Sequence, residues 1–533
     1  MKKIVSFILA LILLLCTACS NQANTNSSNT SSTNQNTSDD SSNAEPTAGG
    51  TAHIATLGDI STMLPWKLRG STDRQYGCII FEKLLNIGED GEPVPFLAEE
   101  YTADVENLTY TFKIRQGVTF HDGSELNAEV VKWNLDMYKA EGAQSNAFLS
   151  NMDHVEVADE YTVVMHLSQW DALIPYYIAR EGGCGYIASQ AAYEENGEEW
   201  FAENPVSTAP FRFVSWERDV GVTLEKYPDY WQGEPKLDGV KFDIYSTALV
   251  AQAAFENGDI HAMMMADLDM ADTLKAEGFS VTGSAVPSTC HTICFEAQNP
   301  DDPFSDILVR QAAAYAIDEA GITAALLGED ATVTNQYAKP GSAYYNDEIE
   351  GYPYNPDKAK ELLAEAGYAN GFDTVLYYNS TTDLPANICQ VVAEQLGQVG
   401  INVTLSPVDN AAYSTMIDGW DGGLFLHSGS IDSGTAAVIS GSYARNATSG
   451  IGLNSFVHPE ELYVAIETGQ SSSPEECIEN FKLAQKIIFQ DEVMLKAIAV
   501  APSVSITAPT LHDSDIGATL GSSADLWDAW LEQ

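Results

Sequence analysis

The chain has 533 residues, of which 45% are hydrophobic and 10% aromatic, so it is long and apolar enough for two or three folded domains. This composition excludes a fibrous or a wholly disordered protein. The chain carries 25 Lys and Arg against 76 Asp and Glu, and its formal charge of -51 would repel phosphate backbones and anionic lipid headgroups. Nucleic acid is therefore not expected as a partner.

The N-terminus has the pattern of a bacterial export signal. Lys2 and Lys3 precede an apolar run at 4–15, which is too short to span a bilayer but suits the hydrophobic region of a secretory signal. The run ends in CTAC, where the small residues before Cys19 resemble the lipobox of bacterial lipoproteins. We predict a signal peptide at 1–18 and a lipid on Cys19, with a plain secretory signal as the alternative.

A tether follows the signal. Residues 21–50 are almost wholly Asn, Ser, Thr, Gln, Ala and Gly with a few acids, a composition that cannot bury enough apolar surface to fold. A flexible coil of this length has an end-to-end distance of about 30 Å. We predict that 19–50 consists of the lipidated cysteine and a disordered linker, which keeps a globular body near a membrane while letting it turn.

The cysteines are too few for a disulfide scaffold in a body of this size. None of those after Cys19 forms a C-x-x-C pair, and Cys290 and Cys294 share an alternating, strand-like run in which burial is the ordinary explanation. We predict buried thiols, with a disulfide as the alternative, at Cys78, Cys184, Cys290, Cys294, Cys389 and Cys477.

The stretch 110–135 combines a strand, a turn and a capped helix. Tyr110, Phe112 and Ile114 alternate with polar residues, and this period of two predicts a strand with one buried face. After a turn, Asn127 is placed to cap a helix, because its side-chain carbonyl can accept the free N–H groups of the first turn. This geometry alone is typical of many α+β surface modules.

The order of residues in this stretch is more specific than its geometry. The string Y-T-F-x-I-R-x-G-V-x-F-H-D-G-x-x-L-N-A-E resembles the signature of the extracellular solute-binding proteins of family 5, the dipeptide, oligopeptide and nickel receptors of ABC importers. The resemblance implies an α/β, two-lobed, periplasmic-binding-protein-like fold with hinge-bending lobes. It would be of type II, similar to the large cluster C, with an extra subdomain.

The resemblance continues along the chain. The segment STAPF at 207–211 departs from the family's usual G-T-G-P-F/Y by losing both glycines. Asn355, followed by a proline, predicts a capped helix, and Gly367 predicts its end. The segments that match the family are 224–242, 251–260 and 354–368.

Apolar patterns predict further elements, and the resemblance implies a division into domains. A helix is expected at 76–85 and a largely apolar, strand-like run at 494–506. A β-α-β unit is expected from the patterns at 374–378, 386–399 and 401–405. The resemblance implies lobe I at 51–290 with the extra subdomain at about 91–225, lobe II at 291–497, and a return to lobe I at 498–533.

The resemblance also implies ligand contacts in lobe I. In the family the first strand-to-helix loop faces the ligand cleft, which makes Met63, Trp66 and Arg69 candidates, although each could equally pack at a loop. Several members place arginines from the region of Arg180 in the cleft, and a guanidinium fork suits a ligand carboxylate. A surface salt bridge is the alternative for Arg180.

Ligand choice is expected to depend on 418–433. Peptide-binding relatives carry here a tryptophan followed by an aspartate and D-P, and that aspartate pairs with the free amine of the peptide. This chain has Trp420, His427, Ser430 and Asp432 but no Asp-Pro, so Asp432 is the candidate for the amine. Trp420 could stack on the ligand, and His427 could touch a metal chelate, although a lone histidine is more often packed or solvated.

The predicted function is the extracytoplasmic substrate-binding component of an ABC importer. It would be a lipid-anchored monomer whose lobes close on a short peptide and deliver it to the permease. A nickel or other metal chelate is the second choice and an oligosaccharide the third. The sequence has no G-x-S-x-G, H-E-x-x-H or P-loop motif, so we predict no enzyme, no cofactor and no protein-built metal site. A secreted lipoprotein hydrolase is the alternative from another class.

Overall fold

The computed structural model describes most of the chain after residue 46, namely 47–68, 70–88, 91–142, 148–180, 182–266, 268–284, 287–380, 383–431, 434–445, 447, 450–516 and 526–532. The predicted signal peptide, Cys19 and most of the predicted linker lie outside these residues. Within the described ranges, every helix is too short or too polar to span a bilayer.

The strands follow the expected alternation where one face is solvated and are apolar throughout where both faces are covered. Thr162–Leu167 alternates half-buried and buried side chains, whereas every residue of Leu495–Ala501 is buried. The strands are β1 Thr51–Thr56, β2 Leu85–Ile87, β3 Pro93–Pro95, β4 Ala98–Asp104, β5 Thr109–Ile114, β6 Met152–Asp159, β7 Thr162–Leu167, β8 Phe211–Glu217, β9 Gly221–Lys226, β10 Gly239–Ile244, β11 Ala262–Met263, β12 Ser280–Gly283, β13 Thr289–Phe295, β14 Thr332–Val333, β15 Phe372–Asn379, β16 Ile401–Val408, β17 Leu424–Ser430, β18 Leu495–Ala501, β19 Val504–Thr507, β20 Leu511–His512 and β21 Trp530–Leu531.

The helices begin at the caps that the sequence predicts. The Asn127 side chain accepts a hydrogen bond from the Val130 N–H at 3.1 Å, and Asn355 accepts one from Lys358 at 3.0 Å, so both predicted caps are confirmed. The helices are α1 Gly70–Ile80, α2 Ala128–Glu141, α3 Ile174–Ala179, α4 Gln190–Asn196, α5 Glu198–Phe201, α6 Ala248–Glu256, α7 Leu268–Ala276, α8 Ile307–Ala316, α9 Glu319–Leu326, α10 Pro356–Glu365, α11 Asp383–Gln398, α12 Asn410–Met416, α13 Thr435–Tyr443, α14 Glu460–Ser471 and α15 Pro474–Lys486. Short 3₁₀ turns at Pro65–Lys67 and Pro303–Ser305 and a π turn at Ile487–Asp491 complete them.

Lobe I is the part of the chain built on a sheet of order β12-β19-β11-β1-β10-β9-β8. Strand β1 pairs in parallel with β10 and β11, so the C-terminal ends of these three strands lie at one edge. A second sheet, β4-β5-β7-β6, carries α2 and forms the extra subdomain. It lies within the predicted 91–225, but β8 and β9 belong to the larger sheet.

Lobe II is built on a sheet of order β14-β18-β13-β17-β15-β16. Strands β15 and β16 are parallel and connected by α11, which confirms the predicted β-α-β unit. Because β12 lies in the lobe I sheet and β13 in the lobe II sheet, the chain crosses between them at 284–288. It returns between β18 and β19, at 502–503. The predicted boundaries fall inside β13 and inside β18.

Two predicted elements differ from the structure for tertiary reasons. The helix expected at 76–85 begins at Gly70 and ends at Ile80, because the residues after it are held by other parts of lobe I. The buried Glu82 carboxylate accepts hydrogen bonds from Tyr230 Oη at 2.6 Å and Thr208 Oγ1 at 2.7 Å. The apolar run expected at 494–506 is two strands in two sheets, since Pro502 cannot donate to a ladder.

The hydrophobic core continues from the subdomain into lobe II. Trp170 Nε1 donates a hydrogen bond to the Ser472 carbonyl at 2.7 Å, and the Ala172 N–H donates to Gln470 at 2.9 Å. One cluster of buried hydrophobic residues has members in both lobes, so the lobes are joined by apolar packing as well as by the crossing segments.

All six cysteines after the linker are free and buried, as the sequence predicts.

Candidate functional site

The two crossing segments lie side by side and bond to each other. The Ser284 N–H donates to the Ser503 carbonyl at 2.9 Å, and the Ser288 N–H donates to Ala501 at 3.0 Å. The hydroxyls of Ser288 and Ser503 lie 2.7 Å apart. Short paired connections between two rigid sheets are where a hinge motion is absorbed.

A cavity of about 610 Å³ opens beside these crossing segments. This volume lies within the range of about 300–1,000 Å³ that small-molecule sites occupy. Lobe I contributes α7 and the residues before it, whereas lobe II contributes the end of α9, the start of α11 and His291 on β13. We call this space the hinge cavity.

Charged residues of the hinge cavity are mostly acidic. Asp272 and Lys275 extend from α7 of lobe I, and Glu329 and Asp330 come from the loop after α9 of lobe II. All four are exposed. Three carboxylates against one ammonium give the cavity a negative potential, which favours a cationic group on the ligand.

The floor of the hinge cavity carries a buried histidine. His291 is 5% exposed, and its Nδ1 lies 2.9 Å from Ser428 Oγ on the neighbouring strand β17. Burial lowers the pKa of this imidazole to about 4. His291 is therefore neutral at physiological pH.

A smaller cavity of about 60 Å³ also lies between the lobes. On its lobe I side, Tyr176 Oη donates to Glu92 Oε2 at 2.5 Å, and Tyr344 Oη of lobe II donates to Tyr176 Oη at 3.2 Å. Lys339 of lobe II lines the same space. Burial raises the pKa of both phenols, so they remain protonated and act as donors.

Two of the three candidates in the first loop are buried in the core. Met63 is fully buried, and Trp66 is 2% exposed and contacts Trp133 edge-on with a centroid distance of 5.6 Å. Both belong to the large core cluster that extends from lobe I into lobe II. Arg69 lies outside the described residues.

Arg180 ends α3, and its guanidinium lies over the Phe148 ring at 5.1 Å from the centroid. It is half-buried, and it is not among the described residues that line either interlobe cavity. Asp432 lies outside the described residues. The nearest described residues on either side, Ile431 and Gly434, line the smaller cavity.

Trp420 and His427 pack against the lobe II sheet. Trp420 is 7% exposed and stacks on Phe425 at 5.0 Å. His427 Nδ1 lies 3.0 Å from Tyr413 Oη, and burial lowers the pKa of its imidazole to about 4. A Cβ at Gly429 would lie 2.2 Å from His427 Nε2, so the glycine allows the ring to lie along its own strand. Ser430 is exposed at the end of β17.

The structure brings together residues that the sequence analysis did not select, namely Asp272, Lys275, His291, Glu329 and Asp330. His291 had a usable signal, because it is the one ionisable nitrogen base in a strand of cysteine, threonine and apolar residues at the predicted lobe boundary. The four charged residues had no such signal in the sequence. Charged side chains on helices and loops are common, and this chain has 76 acidic residues.

Two α/β lobes joined by paired crossing segments, with a cavity between them, define a two-lobed solute-binding protein. Residues 92–450 match the family model described as bacterial extracellular solute-binding proteins, family 5 Middle, which is about two thirds of the chain. The chain belongs to that family, whose members are extracytoplasmic binding proteins for transport. The resemblance read from the sequence is confirmed.

Individual relatives agree with this assignment. The chain is 29% identical to the glutathione-binding protein GsiB of Pectobacterium atrosepticum over 70% of its own length and 73% of that protein's. The fold is similar to that of DppA from Helicobacter pylori in complex with peptide STSA, with TM-score 0.72, 23% identity, and 91% and 99% of the two chains covered. It is also similar to NikA from Brucella suis in complex with Fe(III)-EDTA, with TM-score 0.80, 17% identity, and 91% and 100% covered.

Proposed function

We propose that this protein is the substrate-binding component of an ABC importer and that it binds a short peptide in the hinge cavity. The observation that carries the proposal is a cavity of about 610 Å³ lined from both lobes at their crossing segments. A solute there contacts both lobes only when they are close together, so binding shifts the hinge equilibrium toward the closed state. The closed form is then the one that the permease recognises.

The charges of the hinge cavity support a peptide among the solutes considered. A peptide has a free ammonium, which the carboxylates of Asp272, Glu329 and Asp330 attract. A chelate such as Fe(III)-EDTA is anionic and would be repelled by the same groups. An oligosaccharide usually stacks on aromatic rings, and the described residues that line this cavity include no Phe, Tyr or Trp.

The first expected result concerns ligand-induced stability. A panel of dipeptides and tripeptides should raise the melting temperature of the wild-type protein, because a ligand that binds only the folded state stabilises it by mass action. The panel should include metal chelates and oligosaccharides as the second and third choices. Chromatography of the same mixtures tests the hydrolase alternative: intact peptide after long incubation is expected, whereas release of amino acids would contradict a transport role.

A matched pair of variants locates the binding. Asp330→Asn removes one cavity carboxylate and should weaken dipeptide binding, whereas Asp357→Asn, in the first turn of α10 and away from the cavity, should not. A shift in the melting temperature with chelates alone would replace the peptide by the metal-chelate alternative.

We also propose that the protein is a monomer attached to the outer face of the cell membrane through a lipid on Cys19. The lipobox-like CTAC and the polar segment after it support this proposal. The globular body would then reach its permease on a flexible leash.

A second expected result tests the anchor. Cys19→Ser should release the protein into the medium or the soluble extracytoplasmic fraction, because no thiol remains to be lipidated. Cys16→Leu places the usual lipobox leucine three residues before Cys19 and should leave the protein in the membrane fraction. Membrane retention of the Cys19→Ser protein would contradict lipid anchoring.

A further inference from the structure

The register of lobe II places His291 where the two sheets meet. In β13, His291 pairs with Ser428 of β17 and Ala499 of β18, close to the point where the chain crosses to lobe I. Its neighbours at the hinge cavity include Leu327 and Leu384, whose apolar side chains belong to the lobe II core or pack on it. A polar ring in this position is surrounded by apolar groups on the protein side and by the cavity on the other.

The hydrogen bond of the ring favours one tautomer. Ser428 Oγ lies 2.9 Å from His291 Nδ1, and among the described residues this hydroxyl has no other hydrogen-bond partner. If the hydroxyl donates its proton to Nδ1, both groups are paired within the protein. We therefore assign the proton of the neutral ring to Nε2.

Nε2 is the ring nitrogen left for the cavity. No residue in the described part of the chain bonds to it, and His291 lines the hinge cavity while its side chain is 5% exposed. Because His291 borders the cavity, a ligand oxygen placed there can accept the hydrogen of Nε2. Because burial lowers the pKa of the ring to about 4, Nε2–H remains a neutral donor at physiological pH.

We propose that His291 is a specificity-determining residue, whose Nε2–H donates a hydrogen bond to a carbonyl or carboxylate oxygen of the solute in the hinge cavity. The proposal rests on the proposed function, since it requires that the solute binds there. Together with the acidic residues Asp272, Glu329 and Asp330, it divides the site into a rim that attracts the ligand ammonium and a floor that bonds a ligand oxygen. The site then selects a solute that carries both groups, such as a peptide, over a simple amine.

The tautomer is tested on the free protein. Histidine-selective ¹⁵N NMR should show an Nε2–H tautomer for the signal that disappears in His291→Gln. The Nδ1 signal of the same ring should shift in Ser428→Ala, which removes the hydroxyl that bonds to Nδ1. An Nδ1–H tautomer in the wild-type protein would overturn the proposal without reference to any ligand.

The contact is tested by calorimetry with alanyl-alanine and with 1,2-diaminoethane as a cation that lacks the oxygen. His291→Ala should weaken dipeptide binding by about threefold to tenfold, and His291→Gln should restore part of the loss, because its amide can donate. His458→Gln is the control, since His458 is exposed and lines neither cavity. Thermal unfolding of each variant without ligand shows whether it is folded.

The outcomes separate this inference from the proposed function. Wild-type dipeptide binding that His291→Ala leaves unchanged would overturn the role of His291 and leave the peptide function standing. Equal affinity of the wild-type protein for 1,2-diaminoethane and the dipeptide would also overturn it. If the wild-type protein binds no peptide at all, the proposed function is overturned. The proposed contact between His291 and the ligand is then overturned too, even if NMR shows the Nε2–H tautomer.

Discussion

Replacing Glu319 with alanine should lower the free energy of unfolding by about 3–5 kcal/mol, the usual cost of removing one partner of a buried ion pair. Lys496 Nζ lies 2.9 Å from Glu319 Oε2, and the two side chains are 5% and 17% exposed. Burial lowers the pKa of the Lys496 ammonium, and Glu319 opposes that change. Without the carboxylate, the hydrogen-bond acceptor that the described residues still offer the ammonium is the Tyr352 carbonyl at 2.8 Å, and the charge of Asp318 acts on it without a hydrogen bond.

Chemical denaturation followed by circular dichroism measures this loss through the midpoint and slope of the transition. The control is Glu361→Ala, because the Lys358–Glu361 pair is exposed and such pairs contribute at most about 1 kcal/mol. The double variant Glu319→Leu/Lys496→Met should recover much of the loss, since apolar side chains replace the pair without leaving a charge. A Glu319→Ala protein as stable as Glu361→Ala would contradict the argument.

The sequence predicted those parts of the fold whose causes are local. Asn127 and Asn355 cap helices by bonding to N–H groups three residues later, so the residue type and position are sufficient. The β-α-β unit of lobe II follows from three successive periodic patterns in the same way. The family signature then supplied the two-lobed arrangement, which periodicity alone does not contain.

The sequence did not predict what depends on residues far apart in the chain. Helix α1 ends at Ile80 because Glu82 bonds to Thr208 and Tyr230, and no local pattern announces those partners. The Glu319–Lys496 pair joins a helix to a strand near the C-terminus, and it could not be predicted because its partners are also far apart in the sequence. Long-range contacts of this kind overrule local propensity.

The candidate site was the least predictable feature. Every residue of β13 after Thr289 is buried, so the alternation in its sequence does not indicate that His291 borders a cavity. That depends on where β18 and α7 lie. Pro502 was a signal that the sequence did contain, because a proline within an apolar run argues against one continuous strand. It marks the crossing between the lobes, and hence one wall of the cavity.

Acidification from pH 7 to about pH 4 should destabilise the protein through three imidazoles, of which His291 is buried and His121 and His427 are half-buried. Burial lowers the pKa of His121, His291 and His427 from 6.5 to about 4 in each case. Above pH 6.5 these rings are neutral in both the folded and the unfolded chain. Between pH 6.5 and about 4 the unfolded chain binds protons that the folded chain does not, so stability falls as the pH falls.

The loss attributable to one ring is a substantial fraction of the free energy of unfolding of a domain, which is about 5–15 kcal/mol. A pKa difference from 6.5 to about 4 corresponds to about 3 kcal/mol. For His427 the charge on His291 adds to the effect of burial, so protonating both rings is harder than protonating either alone. His121 is held separately in lobe I, where its Nε2–H donates to the Ala209 carbonyl at 2.8 Å.

The difference between a variant and the wild type isolates one ring from the many carboxylates that titrate in the same range. His427→Gln should reduce the loss of unfolding free energy between pH 7 and 4 by about 3 kcal/mol, measured by denaturation at each pH. His458→Gln replaces an exposed ring and should leave the wild-type pH dependence unchanged. The contradicting outcome is that His427→Gln, His458→Gln and the wild type lose the same free energy of unfolding between pH 7 and 4. In that case the His427 imidazole protonates in the folded protein as easily as in the unfolded chain. Its packing against Tyr413 and Gly429 would then not keep it neutral.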